Sequence, residues 1–193
     1  DYPAYMAPEP DNFRGIHAVQ VLSKQKDMTL DKLIELAYDP HLPAFEVLIP
    51  GLVKAYDAAP EKNQKLKAAI EVLRAWDYRV RVDSSAMSLA HFYGKNYLAK
   101  KTYPDNLTFI QRVEYLANRS PMDERLAVFA QTFNQLSADF GSWNTPWGEI
   151  NRFQRLNGDI ESTFDDNQPS LPVGLASGTW GALGSFGTKS NQG

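Results

Sequence analysis

Apolar residues recur at three- and four-residue intervals from residue 13 to residue 140, and this spacing predicts a series of amphipathic helices. Asp11 or Asn12 caps a first helix running to about Lys26, with Phe13, Ile16, Val19 or Gln20, and Val21 or Leu22 at helical spacing. Thr29 caps a second over 30–38, with Leu30, Leu33, Ile34 and Ala37 on one face. Pro43 suits the first turn of a third, where its missing N–H costs nothing. Phe45, Leu48, Ile49, Leu52, Val53 and Tyr56 form its stripe, and Pro50-Gly51 predicts a kink or break.

Residues 62–76 form the cleanest repeat in this half: Leu66, Ala69, Ile70, Leu73 and Trp76 face inward and Lys62, Lys65, Lys67 and Arg74 face water. A helix over 84–101 follows, capped by Asp83 or Ser84, then one over 106–118. Ser120-Pro121-Met122-Asp123-Glu124 combines a serine cap, a proline at the first position and acids near the positive end of the helix dipole. That helix buries Leu126, Phe129, Ala130, Phe133, Leu136 and Phe140, and Gly141 ends it.

Beyond Gly141 the pattern changes. Trp147 to Gln154 alternates apolar and polar residues and predicts a strand. Past Leu156 the chain is rich in Gly, Ser, Asn and Asp. Gly178, Gly181, Gly184 and Gly187 recur every third residue, which is too short for collagen and is not a dinucleotide fingerprint. Loop or short strands with glycine turns are expected there. The fold class is therefore mainly α: an orthogonal bundle of about six to seven helices over 1–141, then a strand and Gly-rich segment over 142–193. The prolines at 3, 8 and 10 predict an extended start.

Composition narrows function by exclusion. A 193-residue chain with 43% hydrophobic residues can build one real core. Its net charge of −3 and lack of basic clusters argue against nucleic acid as a partner. The absence of cysteine removes disulfides, thiolate metal sites and cysteine nucleophiles. No stretch approaches the ~18 apolar residues of a membrane span. Asp1 to Tyr5 has neither the basic nor the apolar region of a signal peptide, so any export signal is expected on a longer precursor.

No complete catalytic motif appears. His17, His41 and His91 are isolated along the chain and form neither HxxxH nor HExxH, which leaves them as surface or core residues. Ser85 lacks the lysine of SxxK, and Ser185 has Leu183 where GxSxG needs glycine. Asp165-Asp166 lacks the calcium-loop rhythm and reads as a solvated turn. Trp76, Trp143 and Trp147 stand at helix ends, where aromatics usually anchor packing. Two readings fit these residues: a free-standing helical interaction or scaffold module, or a structural part of a larger enzyme.

Five blocks discriminate between them: Asp1-Tyr2-Pro3-Ala4 with Asn12-Phe13-Arg14-Gly15-Ile16; Asp39-Pro40-His41-Leu42-Pro43-Ala44-Phe45 through Pro50; Leu73-Arg74-Ala75-Trp76-Asp77 with Asp83-Ser84; Trp147 to Phe153; and Leu171-Pro172-Val173-Gly174. In this order they resemble the β-chain of penicillin-acylase-type N-terminal nucleophile hydrolases, which include acyl-homoserine lactone acylases. The resemblance implies an internal helical fragment beside an αββα core, its C-terminal segment joining that core. It implies cleavage of linear amides in penicillin-like or N-acyl homoserine lactone-like substrates by a new N-terminal serine, whose own amine, with a pKa near 8, takes the hydroxyl proton. A backbone N–H and an asparagine would hold the oxyanion.

Asp1 cannot serve as that nucleophile. Serine and asparagine are expected upstream of residue 1, which leaves this chain inactive alone, with the rest of the acylase α- and β-chains and a small N-acylated amide as partners. Arg14 matches an arginine that organises the oxyanion site in the family; the alternative is an ordinary arginine on a wet helix face. The family implies a periplasmic or secreted location. No cofactor is implied for this chain. Some family members carry a calcium-ligating carboxylate after the first block, but Tyr5-Met6-Ala7 stand there, so calcium is not carried over. The family's glycine cluster after Pro-Val is also altered, with Leu175-Ala176 following Gly174.

Overall fold

The computed structural model describes residues 9–158 and 163–185. The extended start expected over 1–10 lies almost wholly outside them, as does Gly187. Among the described residues eight α-helices form a mainly α bundle with one two-residue ladder: α1 (Phe13–Ser23), α2 (Leu30–Ala37), α3 (Pro43–Asp57), α4 (Lys67–Arg74), α5 (Ser85–Lys100), α6 (Phe109–Asn118), α7 (Met122–Phe140), α8 (Trp147–Ile150), β1 (Arg152–Phe153) and β2 (Leu171–Pro172). Short 3-10 segments cover Pro60–Leu66 and Gly178–Trp180. β1 and β2 pair antiparallel, with Arg152 opposite Pro172 and Phe153 opposite Leu171.

Helix starts follow side-chain chemistry. The Asn12 carboxamide accepts from the Gly15 N–H, Thr29 from Lys32 and Ser84 from Met87. Thr108 and Gln111 form a reciprocal capping box. Ser120 departs from its expected role. Pro121 occupies the cap position of α7, and the Ser120 hydroxyl turns into the core instead. There it donates to the Leu116 carbonyl at 2.7 Å and accepts from Tyr97 Oη at 2.7 Å and Arg125 Nε at 3.0 Å. Its one donor and two acceptor sites are all used. The buried Arg125 also donates to the Gly51 and Ser120 carbonyls, so this guanidinium is held by main-chain and hydroxyl oxygens.

Three further expectations are corrected. Pro50-Gly51 does not break α3, which runs continuously. Pro50 removes the amide that would bond the Glu46 carbonyl, but both residues are exposed and water can replace it. Gly51 serves a different purpose. Its Cα faces the backbone of α6 so closely that a Cβ would stand 2.0 Å from the Ala117 carbonyl oxygen. The helix expected over 62–76 begins as the 3-10 segment and becomes α-helical only at Lys67, although Leu66, Ala69, Ile70, Leu73 and Trp76 are all buried as their spacing requires. Trp147–Ile150 is a helical turn, and only Arg152–Phe153 of the expected strand pairs. Trp147, Ile150 and Phe153 stand three residues apart, a spacing that suits a helical turn after Pro146 better than a strand.

The apolar stripes of α1 and α2 also point differently from expectation. In α1 the buried residues are Phe13 and His17, while Val19 is exposed. In α2 only Leu36 is buried; Leu30 is 72% exposed, and Leu33 and Ile34 lie open. Amphipathic spacing identifies a face but not whether anything covers it.

The C-terminal segment returns to the bundle through Trp180. This side chain is buried and packs on Phe45 with ring centroids 4.7 Å apart. Its indole Nε1–H donates to His91 Nδ1 at 3.2 Å, and a Cβ on Gly94 would overlap its ring at 2.7 Å. The His91 ring also packs on Trp147 at 4.9 Å. Trp76 packs on Phe45 and Tyr78, and Trp143 stacks on Phe133, so the tryptophans act as packing anchors.

Two stability predictions result. Gly51→Ala forces α3 and α6 apart and should cost about 3 kcal/mol, read as a lower urea midpoint. Burial, with a smaller contribution from Lys95, lowers the His91 pKa from its ordinary 6.5 to about 4. Between those values the unfolded chain binds the extra proton, so stability rises with pH across the window. Lowering the pH from 7 toward 4 should therefore remove on the order of 2 kcal/mol, allowing for partial exposure of the ring. Urea titrations at pH 7 and 4.5 should show a smaller difference for His91→Gln than for the unsubstituted chain.

Candidate functional site

α1 and the returning segment 178–185 meet at one end of the bundle. Three residues on this helix make the junction. Phe13 is buried, with its Cβ 3.4 Å from where a Cβ on Gly181 would stand. Arg14 donates from Nη2 to the Leu183 carbonyl at 2.9 Å. His17, one turn later and 1% exposed, lies 2.7 Å through Nδ1 from the Gly181 carbonyl. A carbonyl oxygen only accepts, so Nδ1 carries the proton of that bond.

Gly181 is required here on two grounds. Its φ of +102° is a conformation that side chains rarely adopt, and a Cβ would fall 2.5 Å from Pro43 Cδ. The turn starts locally as well, because the Ser177 hydroxyl accepts from the Thr179 N–H. The Gly-rich tail thus adopts a 3-10 turn with a left-handed glycine at its end, within the loop-and-turn reading of its composition.

On the other side of His17 lies a polar cavity of about 620 Å³, lined by Asp39, His41, Glu46, Arg79 and Lys24 among others. Its wall is built by pairing the 39–42 loop with the 78–80 loop: Leu42 N–H donates to the Tyr78 carbonyl and Val80 N–H to the Pro40 carbonyl, each at 2.9 Å. Asp39 Oδ1 accepts from the His41 backbone N–H at 2.9 Å and from Arg79 Nη1 at 3.4 Å, and stands 3.3 Å from His17 Nε2. Burial opposes its ionisation, but the His41 amide, Arg79 and the histidines outweigh that and hold the carboxyl below its ordinary 3.8. His17 Nε2 is close enough to pair with Asp39, yet it lacks hydrogen-bond geometry to any described atom.

The histidines that are isolated along the chain are therefore partly assembled in space. The His17 and His41 rings are 5.6 Å apart, while His91 belongs to the Trp180 anchor. No sequence spacing reveals the pair, since the contact depends on how α1 meets the loop after α2. Among the described residues no group of three His, Asp or Glu side chains could hold a metal ion. Asp165-Asp166 forms the expected turn: the Asp165 carboxylate accepts from the Asn167 N–H, and the buried Gln154 carboxamide bonds the Asp165 N–H and carbonyl.

Arg14 itself is exposed. Arg74, Arg79 and Arg81 each pair with an aspartate, whereas among the described residues no carboxylate pairs with Arg14. Among the described residues its guanidinium is bonded to one neutral carbonyl. Beside it runs an open groove of about 410 Å³ whose apolar wall includes Ala18, Val21, Leu22, Leu33 and Leu36. A fixed cation at the rim of an apolar channel suits a ligand with an apolar arm and a centre that develops negative charge.

The family model described as penicillin amidase matches residues 1–189. The match spans the whole helical bundle and the returning segment, and the chain belongs to the penicillin amidase family, whose members are amide hydrolases.

Proposed function

We propose that this chain is part of an acylase of the EC 3.5.1 class. It removes the acyl group from a penicillin-like or N-acyl homoserine lactone-like amide, using an N-terminal serine on sequence outside these 193 residues. The chain alone is then inactive and supplies a wall of the acyl pocket. The observation that carries this reading is Arg14: a family-matched arginine, unpaired with any described carboxylate, held by Leu183 at the rim of an apolar groove. As the amide carbonyl becomes tetrahedral its oxygen gains negative charge. A preoriented guanidinium close to the asparagine of the oxyanion site would favour that charge without reorganising at the moment of reaction.

The open face of α2 supports the partner part of the proposal. Leu30, Leu33 and Ile34 present an apolar surface of the kind that packs against further protein, here the remaining α- and β-chain sequence of the acylase. The periplasm or extracellular space is the location proposed with it, on the family resemblance.

Two measurements test the proposal. In the processed enzyme, Arg14→Ala should lower turnover of chromogenic phenylacetyl or long-chain acyl amides by at least ~10-fold, equivalent to ~1.4 kcal/mol of transition-state stabilisation. Unchanged kinetics with normal processing would return Arg14 to an ordinary helix residue. The purified chain by itself should not hydrolyse the same amides, and turnover at an intact acylase's rate would overturn the proposal.

A further inference from the structure

We infer that His17 is a positioning residue, whose Nδ1–H tethers the Gly181 carbonyl and thereby sets the Leu183 carbonyl that orients Arg14. The inference rests on the reading of Arg14 given above. The geometry carries the mechanical part. Arg14 and His17 are three residues apart on α1, so they lie on one face of the helix. Their two acceptors, Leu183 and Gly181, are two residues apart on the returning segment, at 2.9 and 2.7 Å from their donors.

Helix and segment are therefore joined by a parallel pair of side chain-to-carbonyl bonds, one buried and one exposed. The buried bond is the better anchor, since water competes for the Leu183 carbonyl but not for Gly181, which is itself buried. His17 is fixed in turn. Its ring is packed at 1% exposure, and Nε2 faces Asp39, which the His41 amide and Arg79 hold in place. The chain of constraint runs from the 39–42 loop through His17 to Gly181, and from Leu183 to the guanidinium.

Apolar packing at Phe13 and Trp180 would bring the same elements together without His17, but it would not fix the rotation of the Leu183 carbonyl. A side chain at position 17 that donates from the atom attached to Cγ should therefore suffice, and one that donates a bond further out should not. Asparagine places its amide nitrogen where Nδ1 stands, and glutamine places its own nearer to Nε2.

The test compares His17→Asn with His17→Gln in two settings. In the chain itself, amide exchange of Trp180 and Gly181, whose N–H groups bond the Ser177 and Gly178 carbonyls, should rise about tenfold in H17Q and stay within about threefold in H17N. Equal exchange in the two variants, raised or unchanged, would overturn the tether. In the processed enzyme, H17Q should lower kcat about fivefold with KM nearly unchanged, H17N should restore most of it, and H17Q added to R14A should cause little further loss. Full additivity of the two losses would show that His17 does not act through Arg14 and would overturn the positioning role. An R14A enzyme of normal activity, with the exchange pattern as expected, would show that the failure lies in the reading of Arg14 and not in the tether.

Discussion

Burial of Trp180 is the contact on which the arrangement at this end of the bundle depends. Phe45 of α3 packs against the ring, His91 of α5 accepts the indole N–H, and Gly94 leaves room for it. One side chain thus carries the returning segment across two helices. Burying an aromatic of this size contributes a few kcal/mol, enough to order a short Gly-rich stretch that pairs with no strand among the described residues. The neighbouring glycine then turns the chain under Pro43, and the carbonyls of Gly181 and Leu183 come to face α1.

The interior of the bundle is set by a second, polar constraint. α3 and α6 approach at Gly51 until backbone meets backbone, and Arg125 bonds the Gly51 carbonyl beside that contact. A buried cation without a carboxylate is costly unless its N–H groups are used. Here they meet the Ser120 hydroxyl and two carbonyls, and Tyr97 completes the cluster. The cluster joins α3, α5, α7 and the α6–α7 turn at one point. Burial raises the Tyr97 pKa to about 12, outweighing its bond to Ser120, so it remains a neutral donor at ordinary pH.

Charge is distributed unevenly over the surface. Asp57 with Arg74 and Asp77 with Arg81 neutralise each other in exposed pairs that contribute little to stability. Arg79 is committed to Asp39. Arg14, like Arg125 and Arg152, bonds neutral oxygen among the described residues, and it does so at the rim of an apolar groove. The same junction that presents this cation also holds the His17–Asp39 contact, one turn along the same face of α1. Val21 and Leu36 border both hollows, the groove with a mainly apolar lining and the cavity with a mixed one.

Local chemistry in the sequence determined much of this. Helix spans came from apolar spacing, their starts from Asn12, Thr29 and Ser84, and the end of α7 from Gly141, which adopts φ +79°. Each is a short-range effect, decided within one or two turns of chain. Arg14 was legible only through the likeness of its surrounding block to a family, since nothing in its helix marks it. Tertiary structure alone decided the rest. Ser120 became a core donor and not a cap, Gly51 became a helix contact and not a break, and the α2 stripe was left open. His17 met Gly181 across 164 positions of sequence. Such outcomes depend on which distant backbone arrives opposite a side chain, and spacing along one strand of sequence carries no record of that.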